Sequence, residues 1–192
     1  MNYFCHESSI IDKNVNIGKN TKIWHFCHIS NNSEIGENCT LGQNVYVGPN
    51  VKIGNNVKIQ NNVSVYEGVS LEDYVFIGPS VVFTNVVNPR SQFEKKEQFK
   101  NTLVKKNVTI GANSTIVCGN TLNEYSFLGA GSLLTKEMYP YELWYGNPAK
   151  KSGWINEIGL NITDQIHRDR YYINQDKETF NLVENRLVKE KL

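Results

Sequence analysis

Residues 35–70 read IGENCT LGQNVY VGPNVK IGNNVK IQNNVS VYEGVS, six successive blocks of six residues. Each block opens on Ile, Leu or Val and carries a small or β-branched residue at its fifth place. Extending the phase outward gives an unbroken apolar series: Ile11, Ile17, Ile23, Ile29, Ile35, Leu41, Val47, Ile53, Ile59, Val65, Leu71, Ile77 and Phe83. A second series in a shifted phase follows at Val104, Ile110, Ile116, Leu122, Leu128 and Leu134. A fixed short period sustained this long is the signature of a solenoid, in which each repeat buries its apolar side against its neighbours. An α-helix needs apolar residues near every 3.6 positions, so a period of six does not serve it. The fifth residue facing in, the sixth out and the next first residue in is the period-two alternation of a short strand.

The fourth place of the block is Asn14, Asn20, Asn32, Asn38, Asn44, Asn50, Asn56 and Asn62, then Gly68, and later Asn107, Asn113, Gly119 and Gly131. Asn and Gly tolerate the left-handed backbone that a sharp corner demands. Corner chemistry thus accounts for much of the unusual Asn content, 26 of 192 residues. One block is one strand and one corner, and three blocks close a triangular prism. The sequence therefore predicts an all-β chain, a parallel β-helix over residues 1–135 in which each strand pairs with the one 18 residues later. The nineteen blocks make about six coils, and at about 4.8 Å per layer the prism is on the order of 30 Å long.

Between the two series lie fifteen extra residues, Pro89 to Leu103 (PRSQFEKKEQFKNTL). Such an excursion from a rigid solenoid is either a tolerated surface loop or a loop that builds or covers a site. After Leu134 the period stops at KEMYPYELWYGNPAKKSGWI, and residues 136–192 read as a separate C-terminal part. A short helix near Ser152 to Gly159 is expected to cap the prism. Tyr171 to Ile173 and Thr179 to Val183 are expected to form a hairpin, followed by a charged C-terminus.

Composition narrows the function. Twenty Lys and Arg stand against nineteen Asp and Glu, a formal charge of +1. No basic cluster interleaved with aromatics is present, which argues against nucleic-acid or anionic-membrane partners. The uncharged stretch Val75 to Asn88 is too short to span a bilayer, and the start MNYFCHESS lacks a basic-then-apolar leader, so a cytoplasmic location is expected. Cys5, Cys27, Cys39 and Cys118 have no CxxC spacing and read as reduced thiols, Cys27 and Cys39 as small core residues. His25 and His28 form an HxxH, but one falls at a corner and the other on an outward strand position, and no third ligand is near, so no metal is expected.

The hexads, the interrupting loop and the closing GNPAK (146–150) resemble the left-handed β-helix hexapeptide-repeat acyltransferases, over about residues 10–155. Within that superfamily, IWHFCHI (23–29), LGQNVYVG (41–48), the stretch VKIQNNVSVYEGVSLEDYVFIGPSVVFTNVVNPRS (57–91) and RYYINQDKETFNL look like bacterial sugar-nucleotide 3-N-acetyltransferases. The resemblance implies a homotrimer, acetyl-CoA as co-substrate in the groove between adjacent prisms, and a nucleotide-linked amino sugar as acceptor for surface polysaccharide or O-antigen synthesis. The implied acceptor is UDP-2-acetamido-3-amino-2,3-dideoxy-glucuronate, with a dTDP-3-amino-3,6-dideoxyhexose as the alternative. A non-catalytic or metal-binding β-helix protein is the reading from a different class.

Acetyl transfer to an amine needs a neutral nitrogen near the thioester, a route for its proton, and donors for the developing oxyanion. Many hexapeptide acyltransferases supply a His base, whereas this chain has only His6, His25, His28 and His167, none in the middle of the prism or in the loop. The resemblance instead points to Asn85 as the residue against the sugar amine. Glu67 lies 18 residues before it, hence one coil away on the same edge. Glu67 accepts a proton or holds the ammonium, yet a free carboxylate, with a pKa of about 4.3, is a weak base toward an amine; in the alternative the amine arrives neutral and the departing thiolate takes its proton. Gln60, Asn62, Tyr66, Thr84, Asn88 and Arg90 are candidate acceptor contacts, Arg90 either for a C6 carboxylate or as a partner of Glu94 or Glu97. His28, in an outward column with Tyr46 and Ser64, is either packing or a nucleobase wall. Gly111, Ala112, Gly129 and Ala130 form bare edges for a pantetheine arm or simply allow close coil packing. Lys150 and Lys151 are candidates for the CoA phosphates.

Overall fold

The computed structural model describes residues 2–166, 170–173 and 178–190. It is a parallel β-helix of three faces. The first face stacks Phe4–Cys5, Lys22–Ile23, Thr40–Leu41, Lys58–Ile59, Phe76–Ile77, Thr109–Ile110 and Phe127–Leu128. The second stacks Ile10–Ile11, His28–Ile29, Tyr46–Val47, Ser64–Val65, Val82–Phe83, Thr115–Ile116 and Leu133–Leu134. The third stacks Asn16–Ile17, Glu34–Ile35, Lys52–Ile53, Val69–Leu71, Thr102–Val104 and Thr121–Leu122. Lys22 faces Phe4, Tyr46 faces His28 and Lys52 faces Glu34, the 18-residue register expected from the period. We call the turn after each first-face strand the first corner, and those after the second and third faces the second and third corners.

The interior is the two inward columns. Ile23, Ile29, Leu41, Val47, Val65, Ile77, Ile110, Ile116, Leu122, Leu128 and Leu134 are fully buried, and each such side chain contributes about 1.5–3 kcal/mol of hydrophobic burial. The fifth-place residues lie beside them, and polar ones are accommodated by the corner one coil on. Thr21 Oγ1 donates to the Gly36 carbonyl at 2.8 Å and Ser114 Oγ to that of Gly129 at 2.9 Å. Cys27 and Cys39 donate in the same way to Gly42 and Gly54, both at 3.1 Å. A donor that reaches a corner carbonyl carries little desolvation cost, which is why Ser, Thr and Cys alternate with Val here.

Every Asn of the corner series has positive φ, between 57° and 62°. Phe26, Tyr74, Ser80 and Tyr125 occupy the same left-handed conformation, although a Cβ there costs about 1–2 kcal/mol. At Tyr125 the ring stacks on Tyr141 with centroids 5.1 Å apart, which offsets part of that cost. Asparagines also ladder along the corners, as where Asn20 Nδ2 donates to Asn38 Oδ1 and Asn44 Nδ2 to Asn62 Oδ1, both at 3.1 Å.

Three features differ from the expectation. The chain leaves the prism at the second corner after Phe83 and rejoins the third face at Thr102, which pairs with Val69, so Thr102 and Leu103 belong to the ladder and not to the excursion. The capping helix near 152–159 is absent: Glu142–Gly146 continues the first face and turns back antiparallel as Ala149–Trp154. The reason is alternation, since Leu143, Ala149, Gly153 and Ile155 are buried, and Gly153 leaves the space that the Thr163 side chain fills. The only helical turns among the described residues are 3-10, Lys96–Gln98 and Thr163–Gln165. Finally, the expected hairpin is Arg170–Ile173 with Glu178–Val183, but the charged segment after it forms a third strand, Arg186–Lys189. Phe180 and Leu187 anchor that sheet to Tyr141 and Ile162 in a second small core. His167 and most of the hairpin turn, residues 174–177, lie outside the described residues.

Candidate functional site

Ten of the fifteen candidate residues fall on two corners. At the second corner, Ser64 faces Val82 in the ladder, which puts Tyr66 beside Thr84 and Glu67 beside Asn85 in successive coils. Both Glu67 and Asn85 are half-buried. Asn50, one coil further down, donates from Nδ2 to Glu67 Oε1 at 2.8 Å and so holds one oxygen of the carboxylate. The Asn85 carbonyl accepts the Lys100 N–H at 3.0 Å, closing the excursion at its root. Thr84 Oγ1 accepts the Cys118 N–H at 3.0 Å, so one of its lone pairs is committed to the prism.

A polar and aromatic wall leads to this point along the second face. The His28 ring meets Tyr46 edge-on with centroids 5.6 Å apart, and Tyr46 tilts against Tyr66 at 5.9 Å. His28 Nε2 also lies 3.2 Å from Asp12 Oδ1, and Ser30 Oγ donates to Tyr46 Oη at 3.3 Å. His25 takes a different neighbour, with its ring centroid 3.6 Å from that of His6. The HxxH therefore does not converge, and among the described residues no group of three or more His, Cys, Asp or Glu could hold a metal ion.

The excursion forms a cleft of about 450 Å³ lined by Val86, Val87, Asn88, Gln98, Phe99 and Lys100. Asn88 is thus at the cleft. Arg90 is not: it sits exposed on the outer turn, bridges Phe93 and points Nη1 at the Pro89 carbonyl, 3.4 Å away. Lys100 and the Asn50 contact to Glu67 escaped the sequence reading. The available signal was that the second-corner column changes from Asn to Gly at Gly68 and Gly119, the coils flanking the insertion.

Gln60, Asn62, Gly111, Ala112, Gly129 and Ala130 lie on the first corner, across the second face from Glu67 and Asn85. Asn62 there belongs to the asparagine ladder with Asn44. A Cβ on Gly111 would lie 2.4 Å from the Ala130 backbone nitrogen, so the coil above requires glycine at that place. The Tyr145 ring fills the space that a side chain at Gly129 would need, and Gly129 is buried beneath it. Ala112 is half-buried and Ala130 exposed, which leaves their backbone edge accessible. Lys150, opposite Tyr145 in the hairpin, is exposed beside this edge. Lys151 is held instead, 3.1 Å from Glu142 Oε1, 4.3 Å from the Trp154 ring centre and donating to the Asn185 carbonyl at 2.8 Å. Burial pushes the Cys5, Cys27 and Cys39 thiols above the ordinary value of 9.0, which makes them poor nucleophiles.

The arrangement offers a carboxylate, a carboxamide and a flanking cleft at one corner, and a bare backbone edge at another. Comparison with known proteins agrees with the repeat. Residues 8–49 and 50–85 match the family described as bacterial transferase hexapeptide (six repeats), and residues 104–136 match the hexapeptide repeat of succinyl-transferase. A dTDP-3-amino-3,6-dideoxy-alpha-D-galactopyranose 3-N-acetyltransferase of Aneurinibacillus thermoaerophilus is 48% identical over 40 residues, and the match spans 21% of each chain. A galactoside acetyltransferase solved with coenzyme A aligns with a TM-score of 0.57 at 25% identity, covering 73% of this chain and 72% of its own. A hexapeptide-repeat acetyltransferase of Vibrio cholerae, solved with acetyl coenzyme A, aligns at 0.56 and 23% identity, covering 64% and 70%.

Proposed function

Because the chain belongs to the hexapeptide-repeat transferases, we propose that it transfers acetyl from acetyl-CoA to the amino group of a nucleotide-linked amino sugar. The observation that carries this reading is the stacking of Glu67 and Asn85 in adjacent coils at the root of the excursion, where the chain that follows Asn85 opens into the cleft at Val86 to Asn88. The wall of His28, Tyr46 and Tyr66 gives a nucleobase an aromatic surface next to it. The bare edge at Ala112 and Ala130 suits a pantetheine arm that hydrogen-bonds backbone groups, with Lys150 toward the CoA phosphates. In one prism these two corners stand a face apart. A complete site therefore pairs the second corner of one subunit with the first corner of another, which makes the working form an oligomer, a trimer by resemblance.

In this reading the Asn85 carboxamide orients the neutral amine and Glu67, steadied by Asn50, receives its N–H groups. The amine lone pair attacks the thioester carbon, and the C–S bond then breaks to release CoA thiolate. The proton lost by the nitrogen ends on that thiolate, so no imidazole is required. The favoured acceptor is UDP-2-acetamido-3-amino-2,3-dideoxy-glucuronate. The identity to the dTDP-sugar enzyme supports a dTDP-3-amino-3,6-dideoxyhexose as the second reading. Thiol release from acetyl-CoA, measured with matched UDP- and dTDP-amino sugars, tests both. Asn85→Ala is expected to lose most turnover while acetyl-CoA binding and thermal stability persist. Near-normal turnover at saturating acceptor removes Asn85 from the chemistry, and absence of turnover on every amino sugar overturns the reading.

A further inference from the structure

We propose that Lys100 binds an anionic oxygen group of the acceptor; this rests on the nucleotide amino-sugar reading above. The argument begins with the corner column Asn14, Asn32, Asn50, Gly68 and Gly119, in which glycine replaces asparagine only in the coils flanking the excursion. These glycines make a slot for the returning chain. A Cβ on Gly68 would lie 3.4 Å from Asn101 Oδ1, and one on Gly119 would lie 3.2 Å from Lys100 Cδ and 3.5 Å from its Cβ. The first part of the Lys100 stem therefore lies across the bare Gly119 corner, and the residue as a whole stays exposed.

The backbone is pinned on both sides. Lys100 N–H donates to the Asn85 carbonyl at 3.0 Å, and Thr102 N–H donates to that of Gly68 at 2.9 Å. Among the described residues no carboxylate lies within ion-pair distance of Lys100; Glu67 takes the Asn50 amide, and Glu137, one coil beyond Gly119, takes the Asn123 amide. Glu67 stands one coil to one side of Asn85, and the Lys100 stem crosses the coil on the other. The site is thus bracketed by a negative and a positive group, the pattern for a ligand that carries both an amine and an anion. Lys100 also lines the cleft with Val86, Val87, Asn88, Gln98 and Phe99. An exposed ammonium whose stem rests on a glycine corner at the mouth of such a cleft can form a charge-assisted contact with an anionic oxygen. Arg90, the cation closest to Asn85 in sequence, is turned outward to its own loop.

The chemistry is shared by two oxygens of the acceptor, the carboxylate of a uronate and the phosphate of the nucleotide. Steady-state kinetics of Lys100→Gln, Lys100→Arg and the loop control Lys95→Gln, on an amino uronate and on the same sugar with an uncharged C6, test the assignment. Lys100→Gln should raise acceptor KM about 10- to 100-fold and leave acetyl-CoA KM and the melting temperature unchanged. Lys100→Arg should recover most of the loss, and Lys95→Gln should show none. A loss confined to the uronate identifies the carboxylate, and an equal loss on both acceptors identifies the phosphate. If the unmutated enzyme turns over while acceptor KM in Lys100→Gln is unmoved, the assignment falls and the functional reading stands. A rise in both KM values with a lowered melting temperature makes Lys100 a loop support and also overturns it. If the unmutated protein acetylates no nucleotide sugar, both fall together.

Discussion

Thr84→Val is the substitution that best separates a prism contact from a substrate contact. Thr84 follows Phe83, a core residue only 1% exposed, and is the last regular position before the chain departs into the excursion. Its Oγ1 accepts the Cys118 N–H at 3.0 Å from the next coil. Cys118 itself is 4% exposed. Val keeps the branched shape but removes the acceptor, leaving that N–H without its partner beside a filled core. An orphaned buried donor costs about 1–3 kcal/mol, and for a chain of this size each kcal/mol moves the melting temperature by roughly 2–4 °C. The expected loss is therefore about 2–12 °C in a thermal melt followed by circular dichroism. Thr84→Ser, which keeps the hydroxyl, should recover most of it. A Thr84→Val melt within about 1 °C of the unmutated protein, combined with a raised acceptor KM, would refute the reasoning and put the hydroxyl on the substrate.

Lys150 and Lys151 should separate in the same way. Glu142 is 3% exposed, accepts Tyr139 N–H and Trp144 Nε1–H at 2.8 Å each and pairs with Lys151. Lys151→Met should therefore destabilise at the lower end of the about 3–5 kcal/mol range for breaking a buried pair, while Lys150→Met should leave the melt unchanged and raise acetyl-CoA KM. Gly111→Ala places a methyl 2.4 Å from the Ala130 nitrogen, and the expected loss is about 1–3 kcal/mol of stability in a thermal melt; an unchanged melt would mean that the coils separate freely. Burial pushes the Cys27 and Cys39 thiols above the ordinary 9.0. Their unfolded thiols ionise first, so the stability they contribute is full below that value and declines as pH rises through it. The melting temperature should fall between about pH 8 and pH 10, and less so in Cys27→Ser/Cys39→Ser.

The repeat could be read without the structure because it is local. Each block carries the same instruction: an aliphatic residue inward, a left-handed corner at Asn or Gly, and a small inward residue after it. Agreement among those signals over thirteen consecutive blocks leaves no competing fold. The same arithmetic placed Glu67 beside Asn85 and His28 beside Tyr46. Where the repeat ends, local rules weaken. The Ser152 to Gly159 segment resembles a helix by composition, yet strand alternation and the Thr163 side chain over Gly153 decide its path. The third strand, Arg186–Lys189, is charged and reads as a tail until Leu187 is seen packed in the small core.

The sequence by itself determined the prism, its corners, its interior and the coil in which Asn85 meets Glu67, because a periodic chain repeats its own geometry every 18 residues. Tertiary structure alone decided what the insertion brings home. The return of Lys100 across Gly119, the retreat of Arg90 to the outer turn and the capture of Lys151 by Glu142 all depend on contacts between segments that share no period. Sequence spacing ranks charges by distance along the chain, whereas the folded prism ranks them by which coil they rest upon.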